Sequence, residues 1–128
     1  MSRVLLRNTV KMKIKEIKSL LGARILCGEE CLDNEVCSAC GSDMMSDVLA
    51  FVKDQAVLLT GLVNPQVIRT AEMMDMHCIV FVRNKIPSED MITLARKSGM
   101  IMMTTQLRMY EACGRLFMNG LGGGAGNE

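Results

Sequence analysis

AVLLTGLVNPQVIRTAEMMDMHCIVFVRNKIPSEDMITLARKSGMIMMTTQLRMYEACGRLFMN, residues 56–119, decides the fold, because an apolar run and a helix-like segment alternate three times within it. Ala56–Gly61 precedes Asn64–Asp75, His77–Val82 precedes Ser88–Ser98, and Met100–Thr104 precedes Gln106–Asn119. Runs of five or six apolar residues closed by turn signals suit strands covered on both faces. The segments between them carry apolar residues three and four apart, as a helix with one buried face requires. Parallel strands need crossover connections of this length. The stretch therefore predicts neighbouring, mostly parallel strands with helices between them.

Upstream, MKIKEIKSLLG from Met12 puts Ile14, Ile17, Leu20 and Leu21 on one helical face and ends at Gly22, a helix stop. Ala23–Cys27 and Glu35–Cys40 read as two short strands joined by the polar turn Gly28–Asn34, a β-hairpin. Gly41-Ser42-Asp43 then turns the chain into a short helix, Met44–Lys53, with Ser42 or Asp43 as its N-cap. The whole predicts a compact three-layer-like α/β domain over residues 12–121, with repeated strand–helix units and a mostly parallel central sheet, preceded by a helix and a short β-hairpin. Residues 1–11 read as a disordered extension, with Met12 an alternative start, and residues 122–128 as a flexible glycine-rich tail.

Length and composition agree with one soluble domain: 128 residues, 49% hydrophobic and 23% charged. Thirteen methionines and only four aromatics imply an adaptable core, since methionine fills gaps without specifying one packing. Residues 1–25 hold seven Lys/Arg against Glu16 alone, and residues 26–54 hold seven acids against Lys53 alone. A basic arm without interleaved aromatics, followed by an acidic block able to neutralise it, argues against a nucleic-acid partner. Nothing approaches the run of roughly 18 apolar residues that a membrane span needs, and a cytoplasmic location is expected.

Six cysteines raise the question of metal or redox chemistry. Cys27, Cys31, Cys37 and Cys40 fall within fourteen residues and include a C-x-x-C, a spacing that a four-thiolate zinc or iron–sulfur site could use. Cys37 and Cys40 would however share one strand and point to opposite faces, which favours plain thiols. His77, the single histidine, has no nucleophile motif beside it and reads as a hydrogen-bonded structural residue. No catalytic set emerges and no cofactor is implied.

The remaining chemistry lies in polar residues that follow the strands. Parallel strands end on one edge, so Thr60 and Asn64, Arg83 and Asn84, and Thr104 and Thr105 are expected to converge there. Arg83 is the only cation among them and suits a small anionic ligand such as a nucleotide. Ser42, Asp43 and Asp47 open the preceding helix, and the two carboxylates, four apart, share a helical face. The ligand-binding candidates are thus Ser42, Asp43, Asp47, Thr60, Asn64, Arg83, Asn84 and Thr105. Capping and turn roles compete for most of them, above all for Asn64, which precedes Pro65, and for Thr105.

Ile25–Leu49, the Thr60-to-Asn64 turn and the RNKIPSED segment together resemble the DRTGG domain family. The resemblance spans about residues 12–121, and its most specific piece is Gly41-Ser42-Asp43-Met44-Met45-Ser46-Asp47-Val48. It is closest to the stand-alone members of anaerobic bacteria, often encoded beside iron-only hydrogenase genes. It implies a fold like the amino-terminal domain of HPr kinase/phosphorylase, without the kinase site. DRTGG domains also occur fused to phosphotransacetylases and CBS-domain pyrophosphatases, as regulatory or oligomerising modules. The resemblance therefore implies a non-enzymatic regulatory or ligand-sensing domain that works as a homo-oligomer, most simply a dimer, or with a protein partner. The alternative is a metal- or redox-active accessory protein using the Cys27–Cys40 cluster. Two departures stand out: Gly61-Leu62-Val63 replaces the family's common Gly-Asp-Arg, and Arg83-Asn84-Lys85 its Thr-Gly-Gly. No Walker-type loop is present, so phosphotransfer chemistry does not carry over.

Overall fold

Four parallel strands, β4 (Ser38–Gly41), β5 (Ala56–Thr60), β6 (Cys78–Phe81) and β7 (Ile101–Thr104), lie side by side in chain order. A fifth, β2 (Arg24–Cys27), joins β7 antiparallel, so the sheet order is β2-β7-β6-β5-β4. The computed structural model describes residues 11–51 and 55–123. The sequence-based expectations for residues 1–10 and 124–128 lie outside the described residues.

Every residue of β5, β6 and β7 is buried, as unbroken apolar runs in a doubly covered sheet should be. The connecting helices are α2 (Met45–Phe51), α3 (Pro65–Met73) and α4 (Glu89–Lys97). They pack on one face, where Val48, Ile68 and Ala95 meet Leu58, Ile79 and Met102. The other face is covered by α1 (Ile14–Leu21) and α5 (Met109–Met118), whose Ile17 and Leu116 meet Leu59, Val80 and Met103. Helices on both faces of one sheet make the three layers expected, and the three central strand–helix units fall where the sequence put them, within a few residues at each end.

Methionine shares the work of the core: among the described residues Met12, Met45, Met76, Met91, Met100, Met102 and Met103 are buried. Few aromatics are available, and unbranched Met fills the irregular gaps between helices and sheet.

The expected β-hairpin does not form. β2 and β4 stand at opposite edges of the sheet, with β7, β6 and β5 between them. The chain crosses from one edge to the other through a 3₁₀ turn (Glu29–Cys31) and β3 (Glu35–Val36), which pairs antiparallel with β1 (Met12–Lys13). That detour also finishes α1. Leu32 O and Asn34 O accept from Lys15 N (3.0 Å) and Ile14 N (2.9 Å), satisfying two of the amides that the first turn of a helix leaves open. Glu16 Oε1 accepts from Lys13 N at 3.1 Å. At the other end Gly22 takes the left-handed conformation, φ 58°, and Ala23 N closes the turn onto Lys18 O. The predicted stop at Gly22 thus holds. Lys15 pairs with Asp33 at 3.1 Å and holds that carboxyl below its usual range, one contact between the basic arm and the acidic block.

Candidate functional site

The carboxyl ends of β4 to β7 share one edge, with Thr60, Phe81 and Thr104 directly in register. The helices that follow, α2 to α5, all begin there, so their amide-rich amino termini gather beside the strand ends. In open α/β sheets this edge is where ligands bind.

Asp43 ties the β4 end to the β5 end. Its Oδ1 accepts from Thr60 Oγ1 at 3.1 Å and from Gly61 N at 2.6 Å, and Thr60 Oγ1 in turn accepts from Leu62 N at 3.1 Å. The short distance to the amide is that of a charge-assisted bond. Asp43 Oδ2 accepts no hydrogen bond among the described residues, and the residue is exposed on its outer side. Asp43 therefore does not cap α2. Ser42 shapes that turn, its Oγ accepting from Met44 N at 2.9 Å, and the helix begins at Met45, one residue later than predicted.

Arg83 and Asn84, just beyond β6, are both left-handed, with φ 59° and 56°. Two consecutive non-glycine residues in that region are uncommon, and such outliers concentrate at functional sites. Arg83 N donates to Leu107 O (2.8 Å) and Asn84 N to Thr105 O (2.7 Å), so the β7–α5 loop holds the pair. The same tight turn is held by Thr104 Oγ1 donating to Lys85 O at 2.8 Å. The Arg83 side chain lies across Gly61: a Cβ there would sit 2.5 Å from its Nη2. Gly61 is thus a floor for the guanidinium, and Asp43, Thr60, Gly61 and Arg83 form one connected group on the edge.

The other candidates are placed less centrally. Asn64 caps α3, its Oδ1 accepting from Gln66 N at 2.8 Å, with Pro65 as the first helical residue. Thr105 is buried, and its hydroxyl donates to Leu21 O (2.7 Å) while accepting from Leu107 N (3.2 Å), which docks the edge onto α1. Asp47 is exposed in the first turn of α2. Sequence reasoning named Asp43, Thr60 and Arg83 and missed Gly61 as their partner. The available signal was a glycine immediately after a buried strand, a position that often marks close approach of another group.

Concavities also lie elsewhere among the described residues. At the opposite, amino-terminal edge a hollow of about 320 Å³ is lined by Glu35, Gln55, His77 and apolar residues. His77 Nε2 is 3.0 Å from Asp75 Oδ1, in keeping with a hydrogen-bonded structural histidine. A groove of about 1140 Å³ runs between α5 and the outer edge of β4.

The cysteine cluster is dispersed by the topology. Cys27 is on β2 and Cys40 on β4, at the two edges of the sheet, while Cys31 packs against the opposite face from both. Four thiols so separated do not surround one metal ion. Burial pushes the thiols of Cys27, Cys40, Cys78 and Cys113 above their ordinary value, which opposes thiolate chemistry. Among the described residues no helix is long and apolar enough to cross a membrane.

No family model matches the chain, and no curated protein matches it. Among solved structures it is similar to the CBS and DRTGG domains of the regulatory region of Clostridium perfringens pyrophosphatase, crystallised with the activator diadenosine tetraphosphate. The TM-score is 0.63 at 16% identity, over 94% of this chain and 56% of the other. The chain thus spans little more than half of that regulatory region. At this identity the likeness concerns the fold, and it supports the DRTGG-like domain that the sequence resembled.

Proposed function

We propose that this chain is a non-catalytic regulatory domain that senses a small anionic ligand, of the nucleotide class, at the carboxyl edge of its parallel sheet. The observation that carries the reading is the connected group Asp43, Thr60, Gly61 and Arg83, next to the left-handed pair Arg83–Asn84. An exposed guanidinium lying over a glycine at this edge presents planar, paired donors of the kind that match phosphate. Asp43 Oδ2 and the Asn84 amide would read hydroxyl or amino groups of the same ligand. The structurally similar regulatory region, crystallised with a dinucleotide activator, adds support from the fold.

In this reading the domain acts through self-association or a protein partner, and it works in the cytoplasm. The resemblance to hydrogenase-associated DRTGG domains extends the proposal to hydrogen or energy metabolism. A thermal-shift screen of mono-, di- and triphosphate nucleotides and diadenosine tetraphosphate tests it, because a ligand that binds the folded state alone raises the melting temperature by mass action. The reading predicts a shift that Arg83→Ala abolishes. A shift unchanged in that variant, or none with any of these compounds, refutes it.

A further inference from the structure

The outer side of α5 carries an apolar stripe that the fold leaves uncovered. Met109, Ala112, Cys113 and Leu116 face the sheet, as one helical face should. On the far side Tyr110, Phe117 and Met118 are 92%, 71% and 85% exposed, with Gly114 between them. Tyr110, Gly114 and Phe117 stand at i, i+4 and i+7, so they form one continuous line. Nothing lies within 4 Å of the position a Cβ would take at Gly114. Beside the stripe runs the groove bounded by Ala39, Gly41 and Gly122, where Gly122 O accepts from Ala39 N at 2.9 Å.

We infer that this face pairs with the same face of a second copy of the chain, α5 crossing α5 antiparallel about a two-fold axis near Gly114. The occupant follows from self-complementarity. A two-fold interface must match itself, and crossing near Gly114 lets two backbones approach while each Tyr110 reaches the partner's Phe117 and Met118 across the axis. The flank carries one acid and one base, Glu111 and Arg115, now 3.9 Å apart within the helix. Antiparallel pairing brings each Glu111 near the partner's Arg115, whose Nη1 also donates to Leu20 O at 3.1 Å, and opposes the two helix dipoles favourably.

The area points the same way. An aromatic side chain offers roughly 150–250 Å², so the two aromatics and Met118 present about 400 Å². That is about half of the roughly 800 Å² per partner of a standard interface, before the groove walls are counted. A patch of this size ranks with the largest that a monomer usually exposes, and such patches are often interaction sites. This assignment stands independently of the ligand reading, because the stripe contains none of the proposed ligand residues.

Sedimentation velocity of the full chain at micromolar concentration tests it, with circular dichroism as the check on folding. The parent should sediment with twice the mass of one chain, and Phe117→Glu with half the parent's mass. Gly114→Arg serves as the second variant: its side chain enters open space in the monomer and improves helix propensity, yet blocks the crossing. Met73→Glu, on an exposed methionine of α3, should stay dimeric. A monomeric parent, a dimeric folded Gly114→Arg, or a monomeric Met73→Glu would each overturn the assignment.

Discussion

Replacing Asp43 by alanine removes the side-chain oxygen that joins the β4 and β5 ends beside the backbone bond from Ser42 N to Leu59 O. Two donors lose their acceptor, Thr60 Oγ1 at 3.1 Å and Gly61 N at 2.6 Å. Hydrogen bonds to a charged group contribute about 1.5–3 kcal/mol each, and a buried amide left unpaired costs about 1–3 kcal/mol. Gly61 is buried, so its amide bears most of that penalty, whereas the Thr60 hydroxyl can rotate towards another acceptor. The sum is about 2–3 kcal/mol for Asp43→Ala, which in a domain of this size lowers the melting temperature by roughly 10 °C. Asp43→Asn keeps an oxygen in place and gives up only the charge, so about 1 kcal/mol is expected. Asp47→Ala, which removes an exposed carboxylate in the first turn of α2, should cost under about 1 kcal/mol. Urea unfolding followed by circular dichroism at neutral pH separates these values, since the linear extrapolation resolves differences of this size. A cost below about 0.5 kcal/mol for Asp43→Ala, or an equal cost for Asp43→Asn, would show that the bridge is not what holds the edge.

Arg83→Gly should abolish the nucleotide-dependent thermal shift while leaving unliganded stability unchanged or higher by up to about 1 kcal/mol, because glycine accepts φ 59° without strain; a stability loss above that, with binding retained, contradicts the assigned role. Changing Cys27, Cys31, Cys37 and Cys40 together to Ser or Ala should leave a folded protein, since each site costs about 1 kcal/mol, whereas loss of a structural metal would forfeit on the order of 10 kcal/mol; an unfolded circular dichroism spectrum would revive the metal reading. Alkaline conditions should weaken the fold. The thiols of Cys27, Cys40, Cys78 and Cys113 ionise less readily folded than unfolded, so their stabilising effect is full below the ordinary thiol value of 9.0 and is lost as pH rises above it. Urea midpoints should fall as pH rises past that point, and Cys78→Ala should blunt the fall because burial pushes the Cys78 thiol up furthest of the four; an identical slope in the variant would place the effect elsewhere.

Elements stabilised by neighbours in the sequence were legible in it, and those stabilised by distant partners were not. The runs at β5, β6 and β7 announce themselves because burial on both faces leaves no polar residue inside them, and Asn64-Pro65 and Ser88 mark helix starts through local capping chemistry. β2 is different. Ala23–Cys27 followed by a polar turn and Glu35–Cys40 has the local form of a hairpin, yet Arg24 pairs with Thr104, eighty positions on. Nothing in either segment encodes that pairing except compatibility. At the site, residue types were legible and their roles were not. Asp43 looked like a cap because acids usually cap; it serves instead as a bridge, which only the placement of Gly61 discloses. The left-handed turn at Arg83–Asn84 was hidden for a similar reason, since no glycine marks it.

The antiparallel seat of β2 beside β7 has a consequence for how the chain comes together during synthesis. Elements β4 to β7 can assemble in the order in which they are made, each new strand docking on the one before it. The first-made elements cannot. α1 and β2 find their berths only after β7 and α5 exist, because Arg24 pairs with Thr104, Thr105 Oγ1 donates to Leu21 O, and Arg115 Nη1 donates to Leu20 O at 3.1 Å. Until then the apolar side of α1, with Ile14, Ile17 and Leu21, is exposed to whatever a nascent chain meets, and the outer edge of β7 stays open to strands from other chains. The amino-terminal segment is therefore the last piece fitted, a latch that closes the sheet from the side farthest from β4.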